Sequence, residues 1–525
     1  MAGGKPNCCV QGTESEEDKE PKTETKQFKF YFDIFFDGTG NNAFNTNTRL
    51  AADTAMKKVF REEASSNYDK AFHAADTNTN KSLTNVAIWL AKHSSKLEKP
   101  DKDAIIEYGE NTDFGTSSYE NYYTNVYHLY NFFKEREIKK DDELATTLYV
   151  EGIGTASVEG KGAGDETLGG AFGAGETGIK GKAQKARKQV IDTITSKFPD
   201  PQKITIDIDF TVYGFSRGAA AARHFIHIII NGFNDLENFD YTLKLKTKLS
   251  KYNIQEINFN FVGLFDTVSA YNLQGTVQEK SNVQELGLNS LKLGEVKKVY
   301  HIAAKDEHRK NFALTTMGEG VNGKEITLPG VHSDIGGSYH DDVVEELVVY
   351  NVDKMYMSTQ DKIDAENDMI RLIERGWFDK TDIYKDKSKK NFLAKDEPIR
   401  NALTFWNKIA VRRSKIGGIS NKYARIPFTL MFKECGEDKF LKRKIDTDKD
   451  VTLNKELLKD NFIHRISESI IANPANLIFE DEDLKLLRKK YFHFSAHYNG
   501  EIAGMVAPYA PRFENKRRTR KIHPG

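Results

Sequence analysis

Residues 204–231 read ITIDIDFTVYGFSRGAAAARHFIHIIIN. Ile204, Ile206, Ile208, Phe210 and Val212 alternate with polar residues, which is the period of a β-strand. The strand runs into Gly214-Phe215-Ser216-Arg217-Gly218. Four alanines and an isoleucine-rich run then predict a helix packed on a sheet. A strand that enters a helix through G-x-S-x-G makes a very tight turn. A Cβ at Gly214 or Gly218 would clash, and the serine backbone is strained. Such a turn offers the Ser216 hydroxyl to a base and aims the Arg217 N–H at a carbonyl oxygen. The other reading is a glycine-rich turn whose serine caps the helix.

At 525 residues the chain has room for a large core and more than one structural unit. Lys+Arg and Asp+Glu number 77 each, so no overall basic field argues for a nucleic-acid partner. With 29% charged residues and no run near 18 apolar ones, a soluble protein is expected. The opening MAGGKPNCCVQ lacks the apolar core of a secretory signal, so export needs a route that reads no such signal. Cys8, Cys9 and Cys435 form neither a disulfide framework nor a zinc spacing and read as free thiols. Acylation or cross-linking of Cys8-Cys9 is the alternative. No cofactor or metal is expected. Residues 158–181 carry many glycines but no G-x-G-x-x-G opening a helix from a strand, so a dinucleotide site is disfavoured. A mobile loop over the active site is the preferred reading.

Residues 1–27 are polar and highly charged and predict a flexible tail, with docking to a carrier as the functional alternative. FKFYFDIFF (28–36) is apolar or aromatic at nearly every position, as in a strand buried on both faces of a parallel sheet. It ends in Asp37-Gly38-Thr39-Gly40. In a hydrolase of this kind that loop supplies the second oxyanion donor, assigned to the Gly38/Thr39 backbone. An aspartyl phosphotransferase would need an acid two positions before Asp37, where Phe35 stands. Helices are predicted at 83–93, 119–137 and 183–197, and strands at 104–108 and 145–151. The aromatic content of 119–137 reads as core. Strands and helices alternate, so a mostly parallel α/β sheet flanked by helices is expected over residues 28–340. The strict alternation of 204–212 resists a central, doubly covered strand, unless its first half projects beyond the helices.

After the elbow, Ile257 to Phe265 is a strand followed by Asp266-Thr267-Val268. An acid past the carboxyl end of a strand faces the same crevice as the elbow serine. The strand Val299 to Ala304 leads to Lys305-Asp306-Glu307-His308-Arg309, read as an exposed helix start. Then Pro329-Gly330-Val331-His332-Ser333-Asp334-Ile335-Gly336-Gly337 places His332 on a loop between glycines. The order Ser216, Asp266, His332 is that of α/β hydrolases. His332 is read as the base and Asp266 as the acid that orients it, with backbone donors holding the oxyanion. His224, His301, His308 and His340 compete for the base. Asp334 is the weaker candidate acid and is read as shaping the turn.

Together FFDGTGNN, TNVYHLY, EGIGT, YGFSRGAAAAR, GLFDTVSA, KDEHRKNF and PGVHSDIGGSY resemble the α/β-hydrolase domain of type VI secretion phospholipase effectors, the first lipase-effector class. The likeness spans roughly residues 30–340. It implies a phospholipase whose triad falls on Ser216, Asp266 and His332. It also implies manufacture in a bacterial cytoplasm and delivery into a neighbour's periplasm as an antibacterial toxin. A phospholipid membrane would be the substrate, with a cognate immunity protein and a spike or tube carrier as partners. Beyond residue 341 it thins to NKYARIPFTLMFKEC (421–435) and KYFHFSAH (490–497). Residues 341–525 are expected to be a mainly helical region that completes or caps the hydrolase. The basic run Lys516-Arg517-Arg518-Thr519-Arg520-Lys521 would suit anionic headgroups or be a solvated tail. A soluble-ester esterase or thioesterase, and a non-catalytic hydrolase-fold module, are the competing readings.

Overall fold

A computed structural model describes residues 26–62, 88–89, 91–111, 118–134, 140–158, 161–163, 165, 175–201, 204–235, 240–270, 282–351, 358–383, 408–413, 418–436, 460–498 and 509–525. The expected tail up to residue 25, Cys8 and Cys9, most of the helix predicted at 83–93 and the middle of the glycine-rich stretch lie outside these residues.

Six strands make one all-parallel sheet: β1 (Lys26–Phe36), β2 (Glu143–Val150), β3 (Ile204–Phe215), β4 (Asn253–Phe265), β5 (Val299–Ala304) and β6 (Gly323–Leu328), in the order β6-β5-β4-β3-β1-β2. The α/β expectation holds, and the elbow strand β3 is central. Phe36 pairs with Gly214 and Phe215 with Phe265, so β1, β3 and β4 end at one level and their following loops share one crevice.

The helices introduced here are α1 (Ala43–Glu62), α2 (Lys99–Asn111), α3 (Asn125–Phe133), α4 (Ile179–Lys197), α5 (Arg217–Ile230), α6 (His332–Gly336), α7 (Thr359–Glu374), α8 (Arg425–Glu434), α9 (Asn461–Ala472) and α10 (Asp481–Lys490). Ile206, Ile208, Phe210 and Val212 face α4 and α5 in one core layer. Tyr213 and Phe215, with Phe261 and Phe265, face a second layer that includes Leu129 and Phe133 of α3 and Phe428 and Met431 of α8. The alternation of 204–212 is explained there. Asp209 lies on the second face, buried among polar partners rather than apolar ones. It pairs with Lys29 (2.8 Å) and accepts hydrogen bonds from Asn258 (3.2 Å) and Asn260 (2.9 Å). The first half of the strand is apolar on one face only.

The region after residue 341 joins the same core. Ile466, Leu487 and Phe492 cluster with Tyr213 and Tyr300, and the antiparallel pair Glu345–Asn351 and Lys408–Arg413 adds strand content to the helices.

Several sequence expectations are corrected. Residues 104–108 are helical, inside α2, because Ile105 packs against Ala52 and Ala55 of α1 rather than pairing at a sheet edge. Within the described part of 119–137 the helix is α3, preceded by a 3-10 turn at Ser118–Glu120, and residues 135–137 lie outside the described residues. Thr124 starts α3 by accepting from the Tyr127 N–H (3.2 Å). Residues 305–309 form no helix and are not an exposed start. Glu307 is fully buried and holds Arg309 through two hydrogen bonds (3.0 and 2.8 Å). Arg518 is not tail-like. It is buried, pairs with Asp368 (2.9 Å) and donates to the Ala496 and Val349 carbonyls.

Candidate active site

Ser216 sits at φ 59°, ψ −128°, between β3 and α5. An L-residue is strained there and persists only because the surrounding structure holds it. A Cβ on Gly214 would lie 2.6 Å from Ala219 Cα, and one on Gly218 would lie 2.1 Å from the Asp37 carbonyl oxygen. Both glycines are sterically required. The Ser216 side chain makes no capping bond to α5, so the helix-cap reading of this serine fails. Its N–H donates to the Phe265 carbonyl (3.0 Å), and its own carbonyl accepts from Val268 N–H (3.2 Å). These bonds tie the elbow to the loop that carries Asp266.

Asp266 is fully buried, with φ 43°. His332 Nδ1 donates to its Oδ2 at 2.5 Å. A carboxylate only accepts, so the ring proton is on Nδ1 and Nε2 carries the lone pair. His332 opens the short helix α6 rather than lying in a loop. Its ring leans on Phe215 (4.6 Å between centroids) and meets the edge of Phe312 (4.9 Å). Burial lowers the imidazole pKa, and Asp266 pulls the other way. For Asp266 burial opposes ionisation, but Arg520 and His332 outweigh it and hold the carboxyl well below its ordinary range. Among the described residues no hydrogen bond joins the Ser216 hydroxyl to the His332 ring. Such contacts tighten when substrate binds.

The loop after β1 lies directly on the elbow, since a Cβ on Gly38 would meet the Phe215 ring at 2.4 Å. Asp37 shapes it. Its carboxylate accepts from Gly38 N–H (2.7 Å), Thr124 Oγ1 (2.7 Å) and Tyr149 Oη (2.6 Å). Burial pushes its pKa up to about 6 against those three donors. The Gly38 amide is thereby engaged, while Thr39 N–H has no acceptor among the described residues. The Arg217 amide, in the first turn of α5, has no intrahelical acceptor. Asp37→Ala would strand three donors. Each lost partner costs on the order of 1–3 kcal/mol, so a loss of about 3 kcal/mol in denaturant unfolding is expected.

Three of the four rival histidines are engaged elsewhere. His301 Nε2 accepts from Thr267 N–H (3.1 Å) while its Nδ1 meets Glu325 (2.8 Å). His224 donates to the Leu286 carbonyl (2.8 Å), and His340 meets the Glu120 carbonyl (2.8 Å). Asp334 accepts from Val331 N–H (2.9 Å) and from His493 Nδ1 (3.0 Å), so it closes the turn and faces away from the Asp266 pair. The sequence singles out Arg520 only as one member of the basic run 516–521, with no role at Asp266. Its guanidinium forks onto both Asp266 oxygens, at 2.7 and 2.8 Å. Nothing local marks one arginine in a basic run for that role.

Residues 234–359, which include Asp266 and His332, match the family model of the type VI secretion phospholipase effector Tle1-like catalytic domain. The likeness is to Tle1. The solved structure of the Tle1 effector bound to the VgrG spike of the type VI secretion system superposes with a TM-score of 0.53 and 18% identity, covering 98% of each chain. At that identity the Tle1 match speaks for the fold, an α/β sheet with a partly helical C-terminal region. An uncharacterized protein from Pseudomonas aeruginosa aligns at a TM-score of 0.30 and 14% identity, over 90% of this chain and 65% of its own, which is too low to carry weight. No curated protein sequence matches the chain. Among the described residues no helix is long and apolar enough to cross a membrane.

Proposed function

We propose that the chain is a serine-dependent phospholipase of the A type, delivered as an antibacterial effector by a type VI secretion system. The observation that carries the reading is a buried Asp266–His332 pair at 2.5 Å beside an elbow serine held at φ 59°. The Tle1-like match over residues 234–359 supports the substrate class.

In this reading His332 Nε2 takes the proton from Ser216 Oγ as Oγ attacks the ester carbonyl carbon. Asp266 keeps the ring in the right tautomer and steadies the imidazolium. The Arg217 and Thr39 amides hold the oxyanion, with Gly38 shaping the loop through Asp37. Collapse of the tetrahedral intermediate breaks the ester bond, and the imidazolium protonates the departing lysophospholipid alcohol. Water, deprotonated by His332, then attacks the acyl-Ser216 ester. Fatty acid leaves, and the proton returns to Oγ. The spike-bound Tle1 structure supports a spike as carrier. An immunity protein in the producer, and action on membranes from the target periplasm, complete the proposal.

The test is purified protein on phospholipid vesicles with products identified by mass. Lysophospholipid and free fatty acid are expected from the wild type and not from Ser216→Ala. Hydrolysis of short soluble esters without lipid products would favour a soluble-substrate esterase instead.

The pH profile has a defined sign. The base works only when neutral, and burial lowers the His332 pKa from 6.5. The acid limb of kcat/KM is therefore expected to have its midpoint below pH 6.5. A midpoint above that value would contradict the burial argument.

A further inference from the structure

We propose that Arg520 is a positioning residue for the reaction, and that the segment around it is part of the catalytic site rather than a tail. The inference rests on the Ser216–His332–Asp266 reading above and extends it to a residue 254 positions away from the acid.

Arg520 spends its donors on this one place. Nη1 donates to Asp266 Oδ1 (2.7 Å) and to the Ala304 carbonyl (2.9 Å). Nη2 donates to Asp266 Oδ2 (2.8 Å), and Nε to the Phe312 carbonyl (2.9 Å). Its side chain is only 7% exposed. The Ala304 N–H supplies one further donor to Oδ1, at 2.8 Å. The planar fork fixes the plane of the carboxylate, which no single hydrogen bond does. The plane of Asp266 in turn sets the direction in which His332 Nδ1–H must point, and hence where Nε2 lies. Phe312, whose carbonyl Arg520 also holds, stands edge-on against the His332 ring. Arg520 thus grips both the acid behind the base and the residue beside it.

The segment is anchored on both sides of Arg520. Leu314 and Thr316 N–H donate to the Lys521 and His523 carbonyls, both at 2.9 Å, in a short parallel pairing. Upstream, Arg518 is locked to Asp368, and Arg512 N–H donates to the His308 carbonyl (2.8 Å). A solvated tail would show none of this.

The arrangement has an electrostatic signature. The ionisable groups acting on His332 are Asp266, Glu307, Arg309 and, through Asp266, Arg520. Arg520 offsets the charge of Asp266, so the imidazolium gains less from its carboxylate partner. Without Arg520 the carboxylate acts on His332 unshared. The ring then holds its proton to higher pH, and its aim is looser.

The experiment uses the full chain as wild type, Arg520→Met, Arg520→Lys and the exposed-site control Arg517→Gln. Two readouts are taken across pH: hydrolysis of phospholipid vesicles, and the rate at which a fluorophosphonate labels Ser216. For Arg520→Met, kcat and the labelling rate should fall on the order of 10²-fold, the scale of a small misplacement of catalytic groups. KM should be little changed, and the acid limb should move to higher pH. Arg520→Lys keeps the charge without the fork. It should restore the position of the acid limb but only part of the rate, and it serves as the test if Arg520→Met does not fold. Arg517→Gln should match wild type. Folded Arg520 variants with wild-type rate and acid limb would overturn the proposal. So would a loss of rate with an unmoved limb, because that is a merely structural effect. A wild type that labels at Ser216 but leaves vesicles intact removes the phospholipid reading and leaves the Arg520 comparison in force. A wild type that fails to label removes the nucleophile reading, and this proposal with it.

Discussion

Ser216→Ala is expected to lower turnover on phospholipid vesicles about a million-fold, the scale seen when a serine nucleophile is removed from a working triad. The loss should be in kcat, with vesicle binding retained. The side chain makes no capping bond to α5, so its removal takes no support from the helix. The φ of 59° remains unfavourable for alanine as it is for serine, so stability should change little. A folded Ser216→Ala protein that still releases fatty acid at more than a thousandth of the wild-type rate would exclude Ser216 as nucleophile. His332→Ala should fall to a similar level, because the two groups act as one unit.

Asp266→Asn is expected to damage activity and stability together, which separates it from Ser216→Ala. An asparagine can present its NH₂ group to His332 Nδ1 and so favour the wrong tautomer; the same change in a serine protease costs about 10⁴ in kcat. Here it also removes the charge that faces Arg520. A buried ion pair broken on one side leaves an uncompensated guanidinium, at a cost on the order of 3–5 kcal/mol. Denaturant unfolding should show that loss at neutral pH. The pH dependence has its own sign. The folded-state pKa of Asp266 lies below the ordinary 3.8, so its contribution is present above about pH 3.8 and is lost as pH falls further toward the folded value. The wild-type advantage over Asp266→Asn should therefore shrink in strong acid. Equal stability at pH 7 would mean that the Arg520 fork contributes little to folding.

The residues proposed for catalysis could be picked out in the sequence because each is announced locally. Gly214 and Gly218 stand where a Cβ has no room, and the strand before them carries period-2 apolar residues that only a sheet can use. Asp266 follows a strand directly, and His332 opens a short helix between Gly330 and Gly336, so their places at the carboxyl edge follow from chain order and parallel topology. The elbow's steric demand and the layer packing of α4 and α5 are likewise written in short windows of residues.

What stayed hidden depends on contacts between distant segments. The run 305–309 is as charged as any exposed helix start, yet Glu307 and Arg309 satisfy each other in the interior, with Ser495 and His332 N–H as further partners of Glu307. Residues 104–108 are apolar enough for a strand, and it is α1 that makes them helical. Gly38 looked like an oxyanion donor until Asp37 was seen to take its amide. The basic run at 516–521 has no periodicity that separates its members. Lys516, itself exposed, reaches the half-buried Asp364 of α7 (3.0 Å), while Arg518 and Arg520 turn inward to Asp368 and Asp266. The sequence alone determined where a strained serine, an acid and a histidine must emerge from a parallel sheet, because backbone sterics and strand period act over a few residues. Only the tertiary structure decided which buried charges meet, because an ion pair across 254 positions is selected by the geometry of the finished core and leaves no local trace.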